Sequence, residues 1–98
     1  MDNVFENQDK NGKKISLTFS RYTHIIARHP EIGNAFEELK KAIRFPDIIE
    51  QSLFDEKVFY HYLHCKRFKK YGKFLRVAIK YLNGDGFIIT GYFTNKRP

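Results

Sequence analysis

The sequence has few of the features that mark secreted or membrane proteins. It contains one cysteine, Cys65, so no disulfide can form within the chain. No uncharged run approaches the roughly 18 apolar residues of a membrane-spanning helix. The first 14 residues lack the apolar stretch of a secretory signal. We therefore expect a protein of the reducing cytoplasm with no membrane partner.

Acidic residues are also scarce relative to basic ones. Eighteen Lys and Arg against 11 Asp and Glu give a net charge of +7 at pH 7. Such an imbalance favours a polyanionic partner, and nucleic acid is the first candidate. The chain is 42% hydrophobic and 16% aromatic, too apolar to be disordered. We predict a loose polar tail over residues 1–14 and a single domain over 15–98.

Two helices are predicted in the first half of the chain. Ser20 can cap the first, Ile25 and Ile26 lie on its buried stripe, and Pro30 ends it near His29. A second helix is predicted over residues 31–45, because Pro46 forbids its continuation. Four apolar residues share one face of this second helix: Ile32, Phe36, Leu39 and Ile43.

Short β-rich segments follow at residues 47–50, 58–64, 73–82 and 87–94. Segregated helices and strands predict an α+β fold with two N-terminal helices packed on a three- to four-stranded antiparallel sheet. The predicted core comprises apolar residues on the inward face of each element: Ile25, Ile26, Phe36, Leu39, Ile43, Val77, Ile79 and Ile89.

The last two strands are expected to form a hairpin with one polar face. A three-residue loop, Gly84 to Gly86 with positive φ at Gly86, would place the apolar set of the last strand in the core: Phe87, Ile89, Gly91 and Phe93. This register pairs Lys80 with Thr90, Ala78 with Tyr92 and Arg76 with Thr94. The resulting face is either the solvated side of the sheet or a surface that stacks a base and binds phosphates.

The first helix carries the first group of candidate catalytic residues. His24 and Arg28 are four residues apart, so they are neighbours on a helix, and His29 follows directly. Histidine can exchange protons near neutral pH, and arginine is suited to a phosphate that gains charge. The alternative is a solvated helix face with a capping histidine.

A basic run lies between two predicted strands. It places four cations around Phe68 and Tyr71: Lys66, Arg67, Lys69 and Lys70. Such a loop either increases solubility or contacts single-stranded RNA. Cys65, His61 and His64 do not predict a zinc site, because a fourth ligand is missing and His64 points away from the other two.

Three segments carry a resemblance to a known group of proteins. They are His24 to Glu31 (HIIARHPE), Ile43 to Ile49 (IRFPDII) and Ile88 to Thr94 (IITGYFT). Together they resemble the phage-associated nuclease domains of the barnase, EndoU, colicin E5/D and RelE-like group, over about residues 15 to 95. The resemblance implies a small ribonuclease, often a toxin, that cuts RNA without a metal or cofactor. The functional residues it implies are His24, Arg28, His29, Thr90, Tyr92 and Thr94.

The resemblance and the residue pattern favour the same activity. We expect an endoribonuclease in which the 2′-hydroxyl of RNA attacks its own phosphate and leaves a 2′,3′-cyclic phosphate. Arg28 and Arg76 would neutralise the phosphate, and Lys80 and the basic run would bind the backbone. The resemblance implies RNA, including tRNA, as partner, together with an acidic antitoxin or immunity protein. The alternative is a non-catalytic RNA-binding or partner-binding module on the same fold.

Overall fold

The chain forms a mixed six-stranded sheet with two helices packed against one side. A computed structural model describes residues 2–96. The helices and strands, in chain order, are β1 (Asn3–Gln8), β2 (Lys14–Thr18), α1 (Phe19–Arg28), α2 (Phe36–Arg44), β3 (Ile48–Gln51), β4 (Val58–His64), β5 (Phe74–Leu82) and β6 (Asp85–Thr94). Short 3₁₀ turns lie at Pro30–Asn34 and Lys66–Phe68. In this part of the chain no helix is long and apolar enough to cross a membrane.

The sheet differs from the one expected. Its strand order is β1-β2-β6-β5-β4-β3, and β2 runs parallel to β6 while the other neighbours are antiparallel. The predicted three- to four-stranded antiparallel sheet is therefore wrong, although the fold is α+β. The difference arises because β2 joins the far side of β6, which makes the sheet mixed and adds two strands.

The N-terminal segment is a strand rather than a loose tail. Residues Asn3–Gln8 pair with β2 across a turn in which Gly12 has φ 83°. Asp9 holds this turn together, because its Oδ1 accepts hydrogen bonds from the backbone N–H groups of Asn11 and Lys13, each at 2.9 Å. The strand was not predicted because the segment is mostly polar: within it, Val4 and Phe5 pack against the core.

The helices end where proline predicts, but they start at other residues. Thr18 rather than Ser20 caps α1, and its hydroxyl accepts a hydrogen bond from the Arg21 N–H at 3.1 Å. The helix ends at Arg28, one residue before the His29 C-cap. The predicted helix over 31–45 is divided into the 3₁₀ turn and α2, which fits the poor helix propensity of Gly33 and Asn34.

One side of the sheet carries the core. Leu75, Val77 and Ile79 of β5 are fully buried there, which confirms the predicted inward face of this strand. Both helices contribute to the same core through Ile25, Leu39 and Ile43. Ile26 and Phe36, also predicted in the core, are only partly buried against it.

The β5–β6 register differs from the predicted one. The turn has two residues, Asn83 and Gly84, and both have positive φ, whereas Gly86 lies within β6. Ile79 pairs with Ile88 and Ala78 pairs with Thr90, so Ile89 is an extra residue in a β-bulge. As a result Ile88 is buried in the core in place of Ile89, and Phe87 is exposed.

The other side of the sheet, which we call the open face, carries the alternate residues of the strands. The corrected register sets Arg76 opposite Tyr92, Ala78 opposite Thr90 and Phe74 opposite Thr94. Strand β4 adds Tyr60 and Tyr62, which lie opposite Ala78 and Arg76. The predicted polar hairpin face therefore exists, with its residues shifted along the strand.

Candidate active site

The open face is organised around the guanidinium of Arg76. Its Nε donates a hydrogen bond to the Tyr62 hydroxyl at 2.8 Å, and its Nη1 donates one to the Tyr92 hydroxyl. The centre of the guanidinium lies 3.8 Å from the centre of the Tyr60 ring, within the range of a cation–π contact. Three tyrosines from the two neighbouring strands thus fix the position of this cation. We call these four residues the Arg76 cluster.

In the described part of the chain the guanidinium of Arg76 forms no ion pair with a carboxylate. Glu50 lines the same cavity as Arg76 and Tyr60, and it is connected to the network through Tyr62, whose hydroxyl donates to its Oε1 at 3.5 Å. Arginine has five N–H donors, so about three remain after the two bonds to the phenols. A partly buried cation with unused donors can bind an anion.

The local environment keeps Arg76 and Tyr62 each in one protonation state. Burial raises the pKa of Tyr62 above its usual value, so this phenol stays neutral at physiological pH. Burial acts to lower the pKa of Arg76, but the hydrogen bonds and charge interactions with Tyr92 and Tyr62 outweigh it and raise the pKa. Arg76 is therefore a permanent cation, and its hydrogen-bond partner Tyr62 is a neutral phenol.

His29 brings an imidazole to the edge of the Arg76 cluster. Its ring stacks on Tyr92 with a centroid separation of 5.5 Å and an interplanar angle of 26°. Its backbone N–H donates to Ile25 O at 2.8 Å, which ends α1 at this point. On its other side, Nδ1 lies 3.8 Å from Glu31 Oε1. An imidazole therefore lies one aromatic ring away from the guanidinium of Arg76.

The other residues predicted from the first and last motifs have different positions. Thr90 and Thr94 flank Tyr92 on the open face, and the Thr94 hydroxyl accepts a hydrogen bond from the Lys96 N–H at 3.1 Å. His24 and Arg28 are exposed on α1. Neither of them forms a hydrogen bond or an ion pair with the Arg76 cluster in the described part of the chain.

The predicted phosphate-binding cations are divided between paired and unpaired groups. Lys80 pairs with Asp55 at 3.0 Å, and Arg67 pairs with Glu38 at 3.4 Å. Lys70 lies 5.0 Å from the centre of the Tyr71 ring. Lys66 and Lys69 line an open groove that also contains Lys73, His64, Phe74 and Asp47.

Sequence reasoning missed the contribution of β4 to this site. Tyr60 and Tyr62 lie in a segment, VFYHYLH, that is aromatic on both faces, so alternation does not show which side is buried. Their spacing of two residues was the available signal, since it puts both phenols on one face. His61, between them, is buried on the core side, where its Nδ1 lies 2.9 Å from Ala42 O. Among residues 2–96 no group of three His, Cys, Asp or Glu side chains is placed to hold a metal ion.

Comparisons with known protein families, characterised proteins and solved structures found no match to the chain. The assignment of function therefore depends on the geometry of the open face and on the three motifs of the sequence.

Proposed function

We propose that the chain is an endoribonuclease that cleaves RNA by attack of a 2′-hydroxyl on the adjacent phosphate. The observation that supports this proposal is the Arg76 cluster, a partly buried guanidinium that is held by phenols and forms no ion pair with a carboxylate among residues 2–96. A phosphodiester is an anion whose charge increases on its equatorial oxygens as the 2′-oxygen attacks. Fixed donors aimed at that charge lower the barrier.

The proposed reaction needs only groups of the chain and of the RNA. The 2′-oxygen forms a bond to phosphorus, the bond from phosphorus to the 5′-oxygen breaks, and a proton passes from the 2′-oxygen to the 5′-oxygen. The free N–H groups of Arg76 bind the non-bridging oxygens. His29 takes or returns the proton, because it is the titratable imidazole that stacks on Tyr92. The products are a 2′,3′-cyclic phosphate and a 5′-hydroxyl.

The arrangement of the open face also supports RNA as the partner. Tyr60 and Tyr92 present aromatic surface beside a cation, and the chain carries an excess of seven positive charges. Aromatic rings and cations together bind single-stranded nucleic acid. The three motifs support a place in the barnase, EndoU, colicin E5/D and RelE-like group, whose toxins are inhibited by acidic proteins. An acidic inhibitor would bind the same face.

The test is cleavage of labelled RNA by the purified protein in EDTA, followed by analysis of the ends. We expect cyclic phosphate and 5′-hydroxyl ends from the parent protein and their loss from Arg76→Gln. Arg44→Gln is the matched control, because Arg44 is exposed at the end of α2, which packs on the other side of the sheet. Intact RNA that still binds would contradict the proposal and indicate a non-catalytic binding module.

A further inference from the structure

The open face continues beyond the Arg76 cluster into a groove of about 810 Å³. Six residues line this lysine groove: Asp47, His64, Lys66, Lys69, Lys73 and Phe74. His64 and Phe74 are paired across β4 and β5, next along the strands to the pair of Tyr62 and Arg76 on the same face. Two residues along a strand span about 7 Å. The groove is therefore contiguous with the proposed anion site.

The groove carries a surplus of positive charge. Its three lysines form no ion pair within residues 2–96, whereas Lys14, Lys40 and Lys80 each pair with a carboxylate. The single acidic side chain, Asp47, has a structural partner, because its Oδ2 accepts a hydrogen bond from the His64 backbone N–H at 2.7 Å. Three lysines at one concavity can together bind a phosphate that none of them would hold alone.

The floor of the groove is aromatic. The Phe74 ring lies 5.5 Å from the His64 ring and 6.4 Å from the Tyr62 ring, measured between centroids. The Tyr62 contact is edge-on, and the Tyr62 hydroxyl is also the acceptor for Arg76 Nε. Phe74 is only half-buried. An aromatic surface connected to the anion site and surrounded by lysines fits a nucleobase with its phosphate.

We propose that the lysine groove binds the nucleotide on one side of the scissile phosphate. This proposal depends on the proposed function, since it takes Arg76 as the site of the scissile phosphate. The base stacks on Phe74 and His64, and the next phosphate along the chain binds Lys66, Lys69 and Lys73. A base in a duplex is already stacked on both faces, so the groove selects RNA that is unpaired at this position. The substrate class is single-stranded RNA that extends beyond the cleaved dinucleotide.

Substrates of two lengths test the aromatic floor and the three lysines of the groove separately. A dinucleotide has a base for Phe74 but lacks the next phosphate, whereas a longer oligonucleotide has both. The variant Lys66→Gln/Lys69→Gln/Lys73→Gln should lower kcat/KM at least about tenfold on a single-stranded oligonucleotide and leave the dinucleotide unaffected. Phe74→Leu, which keeps apolar bulk without a flat ring, should lower kcat/KM by about tenfold on both substrates. The matched control, Lys10→Gln/Lys40→Gln/Lys41→Gln, removes the same charge elsewhere and should behave like the parent.

A 2′-O-methyl oligonucleotide cannot be cleaved by this route, so its binding measures the affinity of the groove independently of the reaction. Fluorescence anisotropy over a salt series should show a slope lower by about 0.7 units in the triple lysine variant, because the three lysines bind one phosphate and each phosphate contact contributes about 0.7. Loss of binding in the groove variants, together with no cleavage by the parent, would support the groove and refute the proposed function. Cleavage of the oligonucleotide at the parental rate by both groove variants would refute the groove alone. Equal affinity for duplex and single-stranded RNA would overturn the selection for unpaired substrate.

Discussion

Replacing Arg76 by lysine tests whether the guanidinium acts through its geometry or only through its charge. The arginine uses two of its five donors on Tyr62 and Tyr92, so about three remain for a phosphate. A lysine ammonium has three donors. If it bonds to both phenols, about one donor remains for the phosphate. Loss of a fixed donor to the transition-state charge costs about 100- to 1,000-fold in kcat. We expect Arg76→Lys to fall in this range while its RNA affinity changes only a few-fold.

Single-turnover cleavage of a labelled oligonucleotide under saturating protein measures the chemical step separately from binding. Arg44→Lys is the control, because this exposed arginine packs its guanidinium on the neighbouring Phe45 on the other side of the sheet. Thermal melting of the three proteins checks that Arg76→Lys is folded. A cleavage rate for Arg76→Lys within about threefold of the parent would show that charge alone suffices and would refute the argument from donor geometry.

Three further predictions follow from the burial and contacts of single side chains. His29→Ala should lower cleavage by about 100-fold and His24→Ala by much less, since His29 stacks on Tyr92 whereas His24 is exposed on α1. The reverse order in single-turnover rates would contradict this. Burial lowers the pKa of His61 in the folded state, so the unfolded state binds more protons and the free energy of unfolding should fall as pH drops below about 6.5. In urea unfolding, the free energy of unfolding of His61→Asn should depend less steeply on pH than that of the parent. An unchanged dependence would contradict this. Burial raises the pKa of Cys65 to about 11, so iodoacetamide should alkylate it slowly until the protein unfolds, and fast labelling of folded protein would contradict this.

Features set by local patterns were predictable from the sequence. The end of α1 follows from Pro30, and the inward face of β5 follows from strict alternation of Leu75, Val77 and Ile79. In both cases the physical cause lies within a few residues of the feature. The position of His29 at the end of α1 has the same local cause, because Pro30 follows it directly.

Features set by distant contacts were not predictable. Strand β1 depends on Asp9, whose Oδ2 accepts a hydrogen bond from the Tyr81 hydroxyl at 2.8 Å across most of the chain length. Burial raises the pKa of Tyr81, so this phenol remains a donor. The parallel pairing of β2 with β6 likewise joins Ser16 to Phe87, which are far apart in sequence. Composition alone describes Asn3–Gln8 as a polar segment.

The composition of the candidate site depends on a single extra residue in β6. With the two-residue turn at Asn83 and Gly84 and no bulge, Arg76 would lie opposite Gly91, and Tyr92 would point into the core opposite Leu75. The bulge at Ile89 reverses the alternation beyond it, so Tyr92 returns to the open face while Ile88 keeps its place in the core. One backbone irregularity therefore completes the core and gives Arg76 its second phenol. Alternation predicts that Arg76 and Tyr92 share this face, but the turn and the bulge decide that they lie opposite each other.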